Sequence, residues 1–370
     1  MQFVINNNES SYDFNFEYHR EKRKVRGRNF YLWSKSIPFF IERNLNRNLI
    51  VKALREIEQE TCVRFHEVKR TYKRMSGIRY SPSNICFSFL GKRLLRGFQK
   101  IFIAKHCETI GGIQHETLHA LGIDHEHSRI DRDKYLFVQQ KNIEPSSLND
   151  FTTPRKIHSN TLGLPYDYGS IMHYSVFSFS KNKEPTLVPK DVLYSRTMGH
   201  IRKLSFIDIK TINLLYCRNK CSFKIDCDNG SYQHPTKCFQ CICVEGFVGK
   251  DCYYFTTNLP PCGKSMHVAQ ESPREIIVIG KINCYYQLTT EKNSKIMLKV
   301  VYTKIYPALG TFCWPENSLE IKYWEDKTVT GARFCGFTEN IVFLSKSNVV
   351  IVYFRSTNAS NIFMLMFKKH

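Results

Sequence analysis

Fourteen cysteines constrain this 370-residue chain more than any other feature. They stand at 62, 86, 107, 217, 221, 227, 238, 241, 243, 252, 262, 284, 313 and 335. An even number with a dense central cluster reads as a disulfide framework, and disulfides persist only in an oxidising compartment. The rival reading is a structural zinc–thiolate site on Cys238, Cys241 and Cys243, which leaves their close neighbours unexplained. Residues 217–252 are too short, and too rich in Cys, Gly and Asn, to build an apolar core. Disulfides must hold them.

The length leaves room for one large core and one or two modules. Hydrophobic content of 42% is that of an ordinary globular protein. Apolar runs such as 349–354 are strand-sized, and none is long enough to cross a bilayer. The formal charge of +21 raises nucleic acid as a partner. Against it, the basic residues are spread thinly, with short runs at 20–28, 69–74 and 92–96 and no stacking-aromatic module beside them. Attraction to acidic substrates or acidic matrix is the milder reading. Residues 1–18 are polar and rich in Asn, without the apolar segment of a secretion signal. The expectation is that the start of the gene lies upstream.

Apolar residues Leu49, Ile50, Ala53, Leu54 and Ile57 line one side of a predicted helix over 46–61. Strands are expected at 62–65 and 85–89, a second helix over 107–121 ending at Gly122, and a third over 204–215. From 262 onward the texture becomes alternating, with strands at 276–279, 297–302, 341–344, 349–354 and 362–367. That is an all-β sandwich, so the fold class of the whole is α+β.

The strongest chemical signal is His115-Glu116-Thr117-Leu118-His119-Ala120-Leu121-Gly122-Ile123-Asp124-His125. Positions four apart share a helix face, so His115 and His119 can reach one ion. Gly122 permits a sharp turn that returns His125 as a third nitrogen ligand. Three protein ligands with a fourth position open describe a catalytic zinc site, with Glu116 placed as general base. Downstream, Ser170-Ile171-Met172-His173-Tyr174 supplies a methionine that would floor the site without ligating.

These two motifs resemble those of the astacin family of metzincin peptidases. The stretch from His115 to Asp133 reads HETLHALGIDHEHSRIDRD, and Leu32-Trp33-Ser34 with Ile37-Pro38-Phe39 resembles the start of the mature enzyme. The resemblance implies a two-lobed catalytic domain over 24–217, entered after a pro-segment at 1–23. It implies an EGF-like module over 218–252 and a CUB sandwich over 262–370, the order of nematode astacins. It implies disulfides Cys62–Cys217, Cys86–Cys107, Cys221–Cys238, Cys227–Cys241, Cys243–Cys252, Cys262–Cys284 and Cys313–Cys335. Tyr174 would be a fifth zinc ligand at rest and would swing away to stabilise the oxyanion. Cleavage after Arg23 would free the amine of Lys24 to reach Glu126, beside His125.

The chain departs from the family in carrying Ile123 and His127 where Phe and Gln are usual. Residues 91–106, which should shape the upper rim and an edge strand for extended substrate, lack the family's glycine-rich pattern. The pro-segment lacks the family's inhibitory motif, leaving Asp13 as a weak candidate to meet the zinc. The implied function is a secreted zinc endopeptidase acting on extracellular proteins or peptides, with an acidic residue favoured after the cleaved bond. The CUB module would hold a further matrix or protein ligand. The alternative is an inactive matrix or adhesion protein built on the same modules. Glycosylation sequons stand at Asn8, Asn229 and Asn358. Asn229 is the expected acceptor; Asn358 is expected to be used less if it sits in the last turn of the sandwich and is shielded there.

Overall fold

The computed structural model describes residues 32–153, 160–308 and 310–370. The expected pro-segment 1–23 with Asn8 and Asp13, the expected cleavage point after Arg23 and Lys24 lie outside the described residues.

The first lobe comprises β1 (Ser36–Ile41), α1 (Arg47–Glu60), β2 (Arg64–Glu67), β3 (Ser76–Pro82), β4 (Phe87–Ser88) and β5 (Gly97–Ile103). Its sheet runs β2-β1-β3-β5-β4, parallel throughout except for the two-residue edge strand β4. The Asn46 side chain caps α1 by accepting from Leu49, and Ile50, Ala53, Leu54 and Ile57 form its buried face. Under the sheet lies α2 (Ile110–Ala120), in one core with Ile78, Tyr80 and Ile101.

Several expected boundaries move. The strand expected at 62–65 starts at Arg64, because Cys62 is tied to Cys217 and the ladder begins with Arg64 N on Lys35 O at 2.8 Å. The strand expected at 85–89 shrinks to β4. The helix expected from 107 starts at Ile110, where Thr109 accepts from Gly112 N at 3.1 Å and caps it. Gly111 and Gly112 make that start possible. A Cβ on Gly112 would lie 2.2 Å from Cys107 O, and one on Gly111 would lie 2.5 Å from Ile201 O.

After Gly122, at φ +96, the second lobe is mostly loop. It holds one ribbon of β6 (Leu136–Val138) and β7 (Leu187–Pro189), then α3 (Phe206–Tyr216). A Ser205–Asp208 capping box starts α3. Disulfides Cys62–Cys217 and Cys86–Cys107 brace the domain.

The cysteine-rich module contains two ribbons, β8 (Tyr232–Gln233) with β9 (Cys241–Ile242) and β10 (Phe247–Val248) with β11 (Tyr254–Phe255). Bridges Cys221–Cys238, Cys227–Cys241 and Cys243–Cys252 staple it. No cysteine is left free, so no thiolate remains for a zinc at Cys238, Cys241 and Cys243. The module also borrows apolar packing: Val244 and Phe247 cluster with Ile351 and Tyr353 of the sandwich that follows.

That sandwich is built from β12 (Met266–Val268), β13 (Arg274–Ile279), β14 (Asn283–Thr289), β15 (Ile296–Ile305), β16 (Ser318–Lys322), β17 (Ala332–Phe334), β18 (Gly336–Leu344), β19 (Val349–Arg355) and β20 (Ile362–Lys369). One sheet runs β12-β14-β19-β16-β17 and the other β13-β20-β15-β18, with bridges Cys262–Cys284 and Cys313–Cys335. Leu136, Tyr168, Leu187 and Met198 of the second lobe share one apolar cluster with Leu298, Ile321 and Val352 of the sandwich. The two are packed as one body.

Glu320 on β16 is buried between Arg333 at 3.0 Å and Arg355 at 3.1 Å, and it also accepts from Gly331 N. Burial alone would raise its pKa, but the two guanidiniums hold the carboxyl well below the usual carboxylate range. A depressed native pKa stabilises the fold above the ordinary value of 4.5, and that stabilisation is lost as pH falls below it. Glu320→Gln leaves buried Arg333 without a carboxylate and Arg355 with Glu245 alone, and should cost about 3–5 kcal/mol at neutral pH. Urea unfolding at a series of acidic pH values should show a shallower acid dependence in the variant. Parallel acid profiles for the two proteins would refute this account.

Candidate metal centre

Two of the three imidazoles lie one helical turn apart on α2. The Nδ1 of His115 is 2.9 Å from Ile171 O, and that of His119 is 2.9 Å from Ile123 O. A carbonyl only accepts, so each Nδ1 carries the proton and each Nε2 keeps its lone pair. Burial pushes the His115 pKa down to about 4, against the Ile171 carbonyl, so this ring is neutral and ready to ligate.

The third imidazole arrives through the turn at Gly122, whose N donates to His119 O at 2.9 Å. Asp124 accepts from His125 N at 2.8 Å and fixes the start of the return. The ligand atoms of His115, His119 and His125 then lie within 4.8 Å of one another. The Nε2 atoms of His119 and His125 are 3.2 Å apart. Two nitrogens bound to one zinc at tetrahedral angles would be about 3.3 Å apart, so the donor set fits that ion. His115, His119 and His125 would hold it.

Glu116 is buried on the same helix, next to His115. Met172 is buried too, and its carbonyl accepts from Glu126 N at 2.9 Å, which ties the methionine turn to the chain following His125. The Tyr174 ring centroid is 4.5 Å from that of His125. On its other side Tyr174 stacks on His127 at 3.8 Å, so His127 positions a ring rather than a metal. Tyr166 OH donates to His173 Nε2 at 2.7 Å, and His173 Nδ1 donates to Tyr174 O at 2.7 Å.

Glu126 is wholly buried; its Oε1 accepts from Arg129 Nη1 at 3.1 Å and from Asp167 N at 2.9 Å. On the upper rim one buried glutamine, Gln99, stitches residues 91–106 together. It donates to Gly91 O at 2.9 Å and accepts from Arg93 N at 2.7 Å, while Gly91 N donates to His119 O at 2.8 Å.

Sequence reasoning missed the supporting groups Arg129, Asp167 and Asp208. Arg129 is legible as a cation three residues after Glu126. Asp167 and Asp208 carry no such local mark, because their partners are remote in sequence. Of the two sequons among the described residues, Asn358 is exposed in its turn rather than shielded. Asn229 is exposed, but its amide nitrogen donates to Cys252 O at 2.9 Å.

Three histidines around one point, a buried glutamate beside them and a methionine turn beneath define a metzincin-type metal centre. Comparison with known proteins agrees: residues 25–217 match the family model "Astacin", a peptidase family, and 278–363 match "CUB domain". The chain belongs to the astacin family, with a catalytic zinc as cofactor. It is 33% identical over 335 residues to zinc metalloproteinase nas-34 of Caenorhabditis elegans, covering 89% of this chain and 54% of that one. With zinc metalloproteinase nas-26 of the same nematode it shares 31% identity, over 95% of this chain and 86% of the relative. High choriolytic enzyme 1, a hatching enzyme zinc-protease from Oryzias latipes, is 32% identical over 50% of this chain and 94% of its own, with a TM-score of 0.46. The chain spans little more than half the length of nas-34 and 58% of zinc metalloproteinase nas-23. Among the described residues no helix is long and apolar enough to cross a membrane.

The turn that carries Ile171 is held from α3. Asp208 accepts from Ser170 Oγ at 2.6 Å and from Ile171 N at 2.9 Å, and Ile171 O in turn receives His115. Asp208→Ala should therefore weaken zinc binding roughly 10- to 100-fold, read by competition with a chromogenic chelator. Unchanged affinity in a folded variant would show that His115 is oriented by other means.

Proposed function

We propose that this protein is a secreted zinc-dependent endopeptidase that cleaves extracellular proteins or peptides. The convergence of His115, His119 and His125 beside the buried carboxylate of Glu116 carries the reading. A zinc ion held there supplies Lewis acidity and makes water acidic enough to ionise near neutral pH. The chain supplies the rest. Glu116 accepts the proton of the attacking water and returns it to the leaving amine, so no covalent enzyme intermediate is needed. Tyr174, fixed between His125 and His127, donates its hydroxyl hydrogen to the developing oxyanion. The edge strand β4, paired on one side with β5, turns its outer edge towards an extended substrate. An acidic residue after the cleaved bond suits the cationic chain.

Processing after Arg23 and pairing of the Lys24 amine with Glu126 belong to the same reading. Glu126 already meets Arg129 in the described residues, so the amine would join an existing cation there. For glycans, the exposed Asn358 is the more open acceptor. Asn229 could carry one only if modified before its amide closes on Cys252. Glycosidase treatment followed by peptide mapping should find Asn358 converted to Asp; an unmodified peptide would remove it as a site.

Glu116→Gln should retain stoichiometric zinc and lose roughly 10²–10⁴ in kcat. Tyr174→Phe should also keep zinc and lose about 10²–10³ in kcat, with little change in KM. Both are measured on the processed chain with a fluorogenic peptide bearing an acidic residue. Zinc-loaded parent protein without turnover on any peptide would favour an inactive adhesion protein and overturn the proposal.

A further inference from the structure

His115 and His119 are set by one helix, but His125 is set by whatever holds the loop after Gly122. The residue following His125 is the main anchor of that loop. Glu126 N donates to Met172 O, and Glu126 Oε1 accepts from Asp167 N at 2.9 Å. Asp167 is wholly buried, and its own carboxylate faces two amides. Its Oδ1 accepts from Gly169 N at 3.0 Å and from Thr330 N at 3.1 Å. Thr330 belongs to the CUB sandwich, so a two-step hydrogen-bonded link runs from that module to the neighbour of a zinc ligand.

The contact around Thr330 is built closely. A Cβ on Gly169 would lie 2.4 Å from the Thr330 side chain, so only glycine allows the two chains to approach. Next to it, buried Thr197 donates to Gly331 O at 3.3 Å and accepts from Arg333 N at 2.9 Å. Glu320 fixes the same strand from inside the sandwich, through Gly331 N and Arg333 Nε. At the far end of the segment, Asp191 accepts from Tyr323 OH at 2.5 Å and from Trp324 Nε1 at 2.9 Å. The segment 323–333 is thus held by the second lobe at both ends, through Tyr323 and Trp324 at one and through Val329, Thr330, Gly331 and Arg333 at the other.

We infer that Asp167 is a positioning residue for the metal centre, and that the CUB segment 323–333 is the buttress that holds it. The CUB module is then part of the catalytic unit rather than only a tethered adhesive domain. The inference rests on the zinc reading of the three histidines and does not require turnover. An oxygen acceptor, not a charge, is what the link needs. Burial raises the Asp167 pKa, so a neutral amide is compatible with the site.

The test uses the full chain, with zinc affinity measured by chelator competition and the visible spectrum recorded after replacement by cobalt(II). Asp167→Ala should loosen zinc and lower kcat, each roughly 10- to 100-fold, with KM little changed and the cobalt bands displaced. Asp167→Asn keeps the acceptor and should restore affinity and spectrum. Thr197→Val keeps its shape but releases the CUB segment from the second lobe, and should move the same readouts in the same direction. If Asp167→Ala does not fold, the Thr197→Val comparison decides. Lowered unfolding midpoints with unchanged zinc affinity and cobalt spectrum would make Asp167 and Thr197 merely structural, and would overturn the inference. A parent that binds zinc but cleaves nothing would refute the peptidase reading, while the metal readouts would still decide this one.

Discussion

Three imidazoles must meet at one point, yet one straight helix can bring only two of them to the same face. The remaining ligand has to come from chain that has turned back, and the turn needs a residue at ease with φ +96, which Gly122 provides. The rest of the catalytic domain follows from that split. The first lobe has to hold α2 rigidly, so a sheet, α1 and two disulfides surround it. The second lobe has to hold an irregular loop rigidly, which is harder, because loop backbone satisfies few of its own hydrogen bonds.

The solution in the second lobe is polar and dense. Buried carboxylates replace regular structure: Glu126 collects Arg129 and Asp167, Asp208 collects Ser170 and Ile171, and Asp167 collects Gly169 and Thr330. Each carboxylate gathers donors from segments that no helix or ladder could align. Buried groups of this kind cost desolvation, and they are tolerable only because each has partners. The aromatic stack of Tyr135 on Tyr166, 4.5 Å apart, continues to Trp324 of the CUB module, which closes the lobe from outside.

Much of the site could be read in advance because its spacing is local. His115 and His119 follow from helical periodicity, His125 from the glycine turn, and Met172 with Tyr174 from a short motif nearby. The sandwich strands were legible from alternation, and the observed β13, β15, β18, β19 and β20 contain the predicted segments and extend beyond them. The parallel strands β3 and β5 escaped notice because Ile78 with Tyr80, and Ile101 with Ile103, are too few alternating apolar positions to mark a strand. Helix starts also escaped by a few residues. The Thr109 cap and the close contacts of Gly111 and Gly112 are settled by neighbours, not by apolar pattern.

The amino-acid sequence by itself determined the chemistry: which three histidines can bind metal, which carboxylate stands beside them, and that the chain calls for oxidising conditions. Only the tertiary structure decided what holds those groups still. Asp167 and Thr330 are 163 positions apart, and nothing in either neighbourhood announces the other. Ligand spacing is a property of one helical turn and is written locally. The rigidity of a loop is a property of everything packed around it, and here that includes a module beginning long after the catalytic domain has ended.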